Sequence, residues 1–310
     1  MKRIVILLML AGLVIGGTTA CSKGSLDAGV ADLEARIAAS AEGDFDATIA
    51  EAEAHWEQRH EEEHVREAIA AWERAITYDT GDRDRRETLA PVYAQLARGW
   101  YWLAHGHLHF MRDRRAREAA QQDAYQRGME YGRTSLALSN PAWNEALTGG
   151  ARIEDSVNLL NENDVEAAYW YATCAGRWAT IEGLAALLGF KDQIFAILTR
   201  AYELDQTFFY RASDRYFGVY YTKVPFMNPD VNRSRDHFMA AINEFPQYLE
   251  TRVLLAEELY TKTREREAAV QQLQTVLAYD LDGAPEIRAE NIRAQARAQQ
   301  ILDSLDEFFR

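Results

Sequence analysis

Small and large apolar residues recur at helical spacing along most of the chain, whereas the alternation typical of strands is almost absent. The six prolines among 310 residues mostly mark turns between these segments. Gly189 and Asp192 predict the end of one helix and the start of the next, and Asp230 predicts another helix start. A last helix is predicted from about 286 to 309, with Pro285 in its first turn. The pattern therefore predicts an all-α protein.

Within these helices, a spacing of small and large residues is typical of paired helices in tetratricopeptide repeats. The clearest copy spans 205–246 and has Phe217, Gly218 and Tyr221 on its first helix. Its second helix carries a small, large, small set followed by proline: Ser234, Phe238, Ala241 and Pro246. Weaker copies of the second-helix set are Ala68, Trp72 and Ala75; Gly128, Gly132 and Ser135; Ile194, Leu198 and Ala201; and Ala269, Leu273 and Val276. The sequence predicts a tetratricopeptide-like helical repeat array, an α-solenoid, with degenerate repeats.

The first twenty residues predict an export signal. Basic Lys2 and Arg3 precede an apolar run over 4–15, which is too short to span a bilayer, and small residues then lead to Cys21. The arrangement resembles a bacterial lipoprotein signal with lipidation of Cys21, although Thr18 stands where such signals usually have Leu. The alternative is an ordinary signal peptide that ends near a cysteine.

These features define the expected organisation. We expect residues 1–20 to be the signal peptide, 21–44 the lipidated cysteine with a tether and a first helix, and 45–310 a single helical domain. Ser22 resembles the context that directs lipoproteins to the outer membrane. The expected location is the periplasmic side of the outer membrane, with attachment through the lipid anchor.

The charge of the chain restricts its partners. There are 34 Lys and Arg against 48 Asp and Glu, a net charge of −14, which becomes −16 once Lys2 and Arg3 leave with the signal. Such acidity disfavours the binding of nucleic acid. The second of the two cysteines, Cys174, lies one helical turn from both Trp170 and Trp178 and is expected to be a buried apolar residue.

Four segments of the chain resemble the T component of TRAP transporters, a family of periplasmic lipoproteins with cryptic tetratricopeptide repeats. They are 125–143 (YQRGMEYGRTSLALSNPAW), 167–178 (AAYWYATCAGRW), 196–221 (AILTRAYELDQTFFYRASDRYFGVYY) and 280–309. The resemblance implies a non-enzymatic accessory, without cofactor, that binds the solute-binding (P) subunit of a transporter. It also implies that a small organic or hydrophobic ligand is passed or shared, and that the protein forms a homotrimer.

Eight aromatic residues fall within 208–226 and offer a candidate binding surface. On a continuous helix, Phe209, Tyr216 and Tyr220 would lie about 100° round from the face that fills the repeat core. Two tryptophans and a tyrosine of 167–178 could face the same space. The candidate ligand- or partner-binding residues are Trp170, Tyr171, Trp178, Phe209, Tyr216 and Tyr220. The alternative interpretation is that each of them is core filling.

Two histidine clusters raise a rival, enzymatic interpretation. The segment 60–64 has the HExxH pattern of zinc peptidases, but its surroundings are charged rather than apolar. The segment 105–109 (HGHLH) would spread three histidines round a helix, so they could not chelate one metal together. We therefore predict no metal site and no enzyme activity. A second alternative is a general envelope scaffold of tetratricopeptide type that binds proteins and no small molecule.

Overall fold

A computed structural model describes residues 33–223 and 229–309. Within these ranges the backbone is helical, with short connections and one isolated bridge between Ala41 and Tyr78. The all-α helical array predicted from the sequence is confirmed. The predicted signal peptide, Cys21 and the first part of the tether lie outside the described residues.

The helices have the following bounds. They are α1 Leu33–Ile37, α2 Phe45–Glu57, α3 Glu62–Ala75, α4 Arg85–Trp102, α5 Arg114–Ser139, α6 Pro141–Thr148, α7 Ile153–Ser156, α8 Val165–Glu182, α9 Leu184–Leu204, α10 Phe208–Lys223, α11 Val231–Glu244, α12 Glu250–Leu254, α13 Thr261–Thr263, α14 Arg266–Leu277, α15 Arg288–Asp303 and α16 Leu305–Phe308. A π-helical turn, Leu103–His107, extends α4, and another, Leu255–Tyr260, joins α12 to α13.

Consecutive helices pack as hairpins: α2 with α3, α4 with α5, α8 with α9, and α10 with α11. Four of the five small, large, small sets lie on the second helix of one of these hairpins. The last set lies on α14, which packs on α12 and on the π-helical turn Leu255–Tyr260, and every member of the five sets is buried. In the clearest copy, the Ser234 hydroxyl donates a 2.7 Å hydrogen bond to the Gly218 carbonyl of the first helix. The small residues thus mark where two helices approach closely.

Helices α5 and α8 approach each other closely in the core. A Cβ on Gly132 would lie 3.0 Å from the backbone N and Cα of Tyr171, and a Cβ on Gly128 would lie 2.6 Å from the Cys174 sulfur. Cys174 is fully buried as predicted, and burial raises the pKa of its thiol far above the ordinary value. These two glycines bring the helix that carries Trp170 and Arg177 against the first half of the array.

The helix boundaries follow the predictions in part. Asp230 begins α11, and its carboxylate accepts a 3.0 Å hydrogen bond from the backbone N–H of Arg233. The boundary predicted at Gly189 and Asp192 is wrong, because α9 continues through both. The break lies instead at Gly183, whose φ of +118° disfavours an L side chain. The predicted last helix becomes a 3₁₀ turn from Pro285 and then α15 and α16.

The start of α10 also differs from the prediction. Phe209, Tyr210 and Arg211 have φ between 42° and 59°, in the left-handed region, so right-handed helix begins only after them. Phe209 therefore does not share a helical face with Tyr216 and Tyr220, as a continuous helix would require. Three successive non-glycine residues in this region store backbone strain, which must be offset by surrounding contacts.

The first and the last part of the helical array contact each other. Arg59, just after α2, makes a bidentate pair with Glu290 on α15, with nitrogen to oxygen distances of 3.1 and 2.8 Å. Its guanidinium also donates to the carbonyl of Glu286 at 2.7 Å. This contact joins residues more than two hundred positions apart and encloses a space between the two halves of the helical array. No helix in the described ranges combines the length and apolarity needed to cross a membrane.

Candidate ligand-binding cavity

A cavity of about 390 Å³ lies between α4, α8, α9, α10, α12 and α15. This volume falls in the range of small-molecule sites, roughly 300–1,000 Å³. Nine aromatic side chains line it: Trp56, Tyr101, Trp102, Tyr169, Trp170, Phe209, Tyr216, Tyr220 and Tyr248. Thr180 and Lys223 line the cavity and are also exposed, so it opens to solvent near the ends of α8 and α10.

One face of α8 forms a wall of the cavity. Its lining residues recur every three to four positions: Tyr169, Trp170, Thr173, Gly176, Arg177 and Thr180. The opposite face packs on α5 through Tyr171 and Cys174. The indole Nε1 of Trp170 and the hydroxyl of Thr173 are buried without a hydrogen-bond partner among the described residues. Such unsatisfied donors are costly in a folded core.

Aromatic rings and guanidinium groups stack at the inner end. The Arg98 guanidinium lies 5.2 Å from the Trp56 ring centroid and 5.1 Å from that of Phe209. That of Arg215 lies 4.1 Å from the Tyr248 ring centroid. These distances are typical of cation–π contacts, in which the guanidinium and the aromatic ring hold each other in place.

Arg215 also explains why the left-handed turn before α10 persists. Its guanidinium donates to the carbonyls of Phe209, at 2.8 Å, and of Tyr210. The turn thereby places the Phe209 ring edge-on to Trp170, with centroids 5.2 Å apart, inside the cavity. A regular helix at this point would direct the ring elsewhere.

The lining has the opposite charge balance from the whole chain. Six cationic side chains face the cavity, namely Arg98, Arg177, Lys191, Arg215, Lys223 and Arg293, against two carboxylates, Glu250 and Glu290. The chain as a whole has a net charge of −14. An acidic protein that encloses a cationic cavity presents a local field favourable to anions.

The Glu250 carboxylate is held in a buried network. Burial would raise its pKa, but the charge of Arg293 and the hydrogen bond from His105 outweigh that effect and hold the pKa well below its ordinary value. Burial, together with Arg293, lowers the pKa of His105 well below its ordinary value. His105 is therefore a neutral imidazole that donates from Nε2 to Glu250 at 3.3 Å.

Three tyrosines of the lining, Tyr101, Tyr216 and Tyr248, remain neutral phenols. Burial raises the pKa of Tyr101, Tyr216 and Tyr248. They therefore offer hydroxyl groups that can donate or accept hydrogen bonds at neutral pH, together with apolar ring faces. The site can bind and orient a molecule, and the fixed charges around it favour a negative group.

The structure separates the six candidate binding residues predicted from the sequence. Trp170, Phe209, Tyr216 and Tyr220 line the cavity, whereas Tyr171 and Trp178 lie in the packed core. Tyr171 is fully buried against α5, and Trp178 packs on Phe190, 5.6 Å away between ring centroids. A ligand-binding role for the four lining residues stays a prediction.

Sequence reasoning missed the cationic residues of the lining. Arg177 carried a signal that could have been noticed, because it is the single charged residue within the apolar segment 167–181. Arg98 carried the same signal, because it is the single Asp, Glu, Lys or Arg within 88–111. Arg293 carried none, since it lies in a helix rich in charge. The roles of these residues depend on neighbours distant in the sequence.

The two histidine clusters are dispersed. His60 precedes α3, so it does not share a helix with His64, whose Nδ1 lies 2.8 Å from Nδ1 of His55 instead. In the second cluster, His105 bonds to Glu250 and His107 donates to the Arg59 carbonyl at 3.0 Å. Across 33–223 and 229–309, no three His, Cys, Asp or Glu side chains are grouped as a metal site would require.

No curated protein sequence matches this chain. A protein-family model described as "TRAP transporter T-component" matches residues 106–309, which include α5 to α16 and most of the residues that line the cavity. The match spans about two thirds of the 310 residues. The chain belongs to the TRAP transporter T-component family.

Proposed function

We propose that this protein is a non-enzymatic lipoprotein accessory that binds the solute-binding subunit of a TRAP transporter and passes or shares a small organic ligand. The observation that carries the proposal is the solvent-open, aromatic and cationic cavity, most of whose lining lies in the region matched by the family model. Membership of the family supports an accessory role in TRAP transport. The cavity adds a place where a ligand can reside.

The competing function, a general envelope scaffold without a small-molecule ligand, accounts less well for the cavity. A scaffold needs only amphipathic helices and an outer surface for partners. It gives no reason for a cavity of about 390 Å³ lined by nine aromatic side chains. It also gives no reason for strained backbone that places Phe209 in the cavity.

The partner is tested by calorimetric titration of the mature chain, without residues 1–20, against the solute-binding subunit of a TRAP transporter from the same organism. A Cys21→Ser substitution removes the acceptor thiol for lipid, so both proteins stay in aqueous buffer. Saturable binding is expected, with and without candidate organic acids. No binding at high protein concentration, in either condition, would favour the scaffold.

The anchor and location need a separate test. The proposal places the protein on the periplasmic side of the outer membrane, attached through Cys21, and as a homotrimer. Labelled palmitate should be incorporated into the wild-type chain and not into Cys21→Ser, and membrane fractionation should recover the label in the outer membrane. Sedimentation of the Cys21→Ser chain measures the oligomeric state. A monomer would contradict the trimer.

A further inference from the structure

Arg177 differs from the other cationic residues of the cavity. No hydrogen bond or ion pair joins its half-buried guanidinium to any residue within the described ranges. By contrast, Arg293 pairs with Glu250, and Lys223 lies 2.7 Å from Glu258. Arg177 is thus a cation inside the cavity whose hydrogen-bond donors are unused.

The nearby carboxylates already have other partners. Glu250 and Glu258 are the two carboxylates whose charge acts on Arg177. Glu250 is held by Arg293 and His105, and Glu258 by Lys223. Withdrawing a guanidinium from water without a close partner is unfavourable, so an anion that enters the cavity would recover the lost interaction.

Two neutral donors lie on the same wall. Thr173 is one helical turn before Arg177, and Trp170 is three residues before Thr173, so all three line the cavity from one face of α8. The Thr173 hydroxyl and the Trp170 indole nitrogen have no hydrogen-bond partner within the described ranges. A guanidinium presents a planar fork of donors that matches a carboxylate in a bidentate arrangement.

We propose that Arg177 binds the carboxylate of a small amphipathic acid and that the aromatic lining holds the apolar body. The inference rests on the proposed role of the cavity as a ligand site. It adds the residue that anchors the ligand and the charge that the ligand carries.

The test uses three probes with the same apolar body: 4-phenylbutyrate, its amide 4-phenylbutanamide, and 4-phenylbutylamine. Each is titrated calorimetrically into the mature chain, without residues 1–20, that carries Cys21→Ser. The acid is expected to bind roughly 10- to 100-fold more tightly than the amide, because hydrogen bonds between charged groups are worth that much. The amine is expected to bind most weakly, because the lining carries a positive excess.

Three variants assign the preference to one residue. Arg177→Met keeps an unbranched apolar stem without charge, and should bring the affinity for the acid down to that for the amide, with amide binding unchanged. Arg177→Lys should keep part of the preference. Arg127→Met is the matched control for the loss of one positive charge, since Arg127 lies on α5 outside the cavity and pairs with Asp123 at 3.0 Å, and it should keep the full preference.

A stability measurement distinguishes an anchor from a structural arginine. Arg177→Met removes an unpaired charge, so its urea unfolding midpoint should equal or exceed that of the parent chain. An arginine that held the fold together would lower the midpoint on removal. A lowered midpoint with an undiminished preference for the acid would assign Arg177 to the scaffold and overturn the proposal.

Other outcomes also overturn the proposal: equal affinity of the parent chain for acid and amide, or no binding of the acid at millimolar concentration. The accessory role is judged separately by titration against the solute-binding subunit. Binding of the acid without binding of the subunit would refute the accessory role and keep the anchor. Binding of the subunit without preference for the acid would do the reverse.

Discussion

Replacing Gly132 with alanine tests whether the close approach of α5 and α8 maintains the wall of the cavity. The added Cβ would lie 3.0 Å from the N, Cα and Cβ atoms of Tyr171. Two of these are backbone atoms of the neighbouring helix, so no side-chain rotation relieves the contact. The helices would have to separate along the wall that carries Trp170 and Arg177.

The expected magnitude combines two opposing effects. Overpacking a close helix contact costs roughly 1–3 kcal/mol of unfolding free energy. Replacing glycine by alanine within a helix gains about 1 kcal/mol. Gly189 measures the gain alone, because it lies inside α9 with no atom within 4 Å of its would-be Cβ. The Gly132→Ala variant should therefore be roughly 1–3 kcal/mol less stable than Gly189→Ala.

The assay is urea unfolding followed by far-ultraviolet circular dichroism, with the free energy extrapolated linearly to water. Gly189→Ala should be more stable than the parent chain. Binding of 4-phenylbutyrate to both variants then shows whether separation of the helices reaches the cavity. The reasoning is refuted if Gly132→Ala is as stable as Gly189→Ala, with equal dependence on urea concentration.

Three further predictions follow from the buried charges and the aromatic wall. Arg59→Met should lower the free energy of unfolding in urea by roughly 3–5 kcal/mol. The substitution leaves the Glu290 carboxylate buried, with Arg98 at 3.9 Å as its remaining close cation. A loss below about 1 kcal/mol would contradict this prediction. Burial, with the charges of Arg293 and Arg297, lowers the pKa of His109 to about 3. Below about pH 6.5 the unfolded chain therefore binds a proton at His109 that the folded chain does not bind. The free energy of unfolding should fall by about 2 kcal/mol from pH 8 to pH 5 through this residue. In thermal melts, His109→Gln should remove this contribution to the pH dependence. The double variant Tyr216→Ala with Tyr220→Ala should weaken binding of 4-phenylbutyrate more than it lowers the melting temperature. Tyr221 lies outside the cavity and stacks on His237, so Tyr221→Ala should do the opposite. A large loss of stability with unchanged binding in the double variant would assign Tyr216 and Tyr220 to the core.

The amino-acid sequence by itself determined the helices and the faces on which they meet. Small residues such as Gly132 and Ser234 can be recognised from spacing alone, because helical periodicity and side-chain volume are local properties. Cys174 was likewise predictable as buried from the tryptophans one turn away. The helix boundary at Gly183 and the left-handed turn at Phe209 could not be predicted from the sequence. A glycine at the first position and an aromatic residue at the second are both compatible with a continuous helix.

The tertiary structure alone decided which residues form the cavity. Trp170 and Tyr171 are adjacent in the sequence and similar in chemistry, yet one lines the cavity and the other packs under Gly132. Which of the two faces inward depends on the position of α5, more than thirty residues away. The positive lining arises in the same way, because its six cationic side chains come from five helices of an acidic chain. They become neighbours only when Arg59 and Glu290 bring the two ends of the chain together.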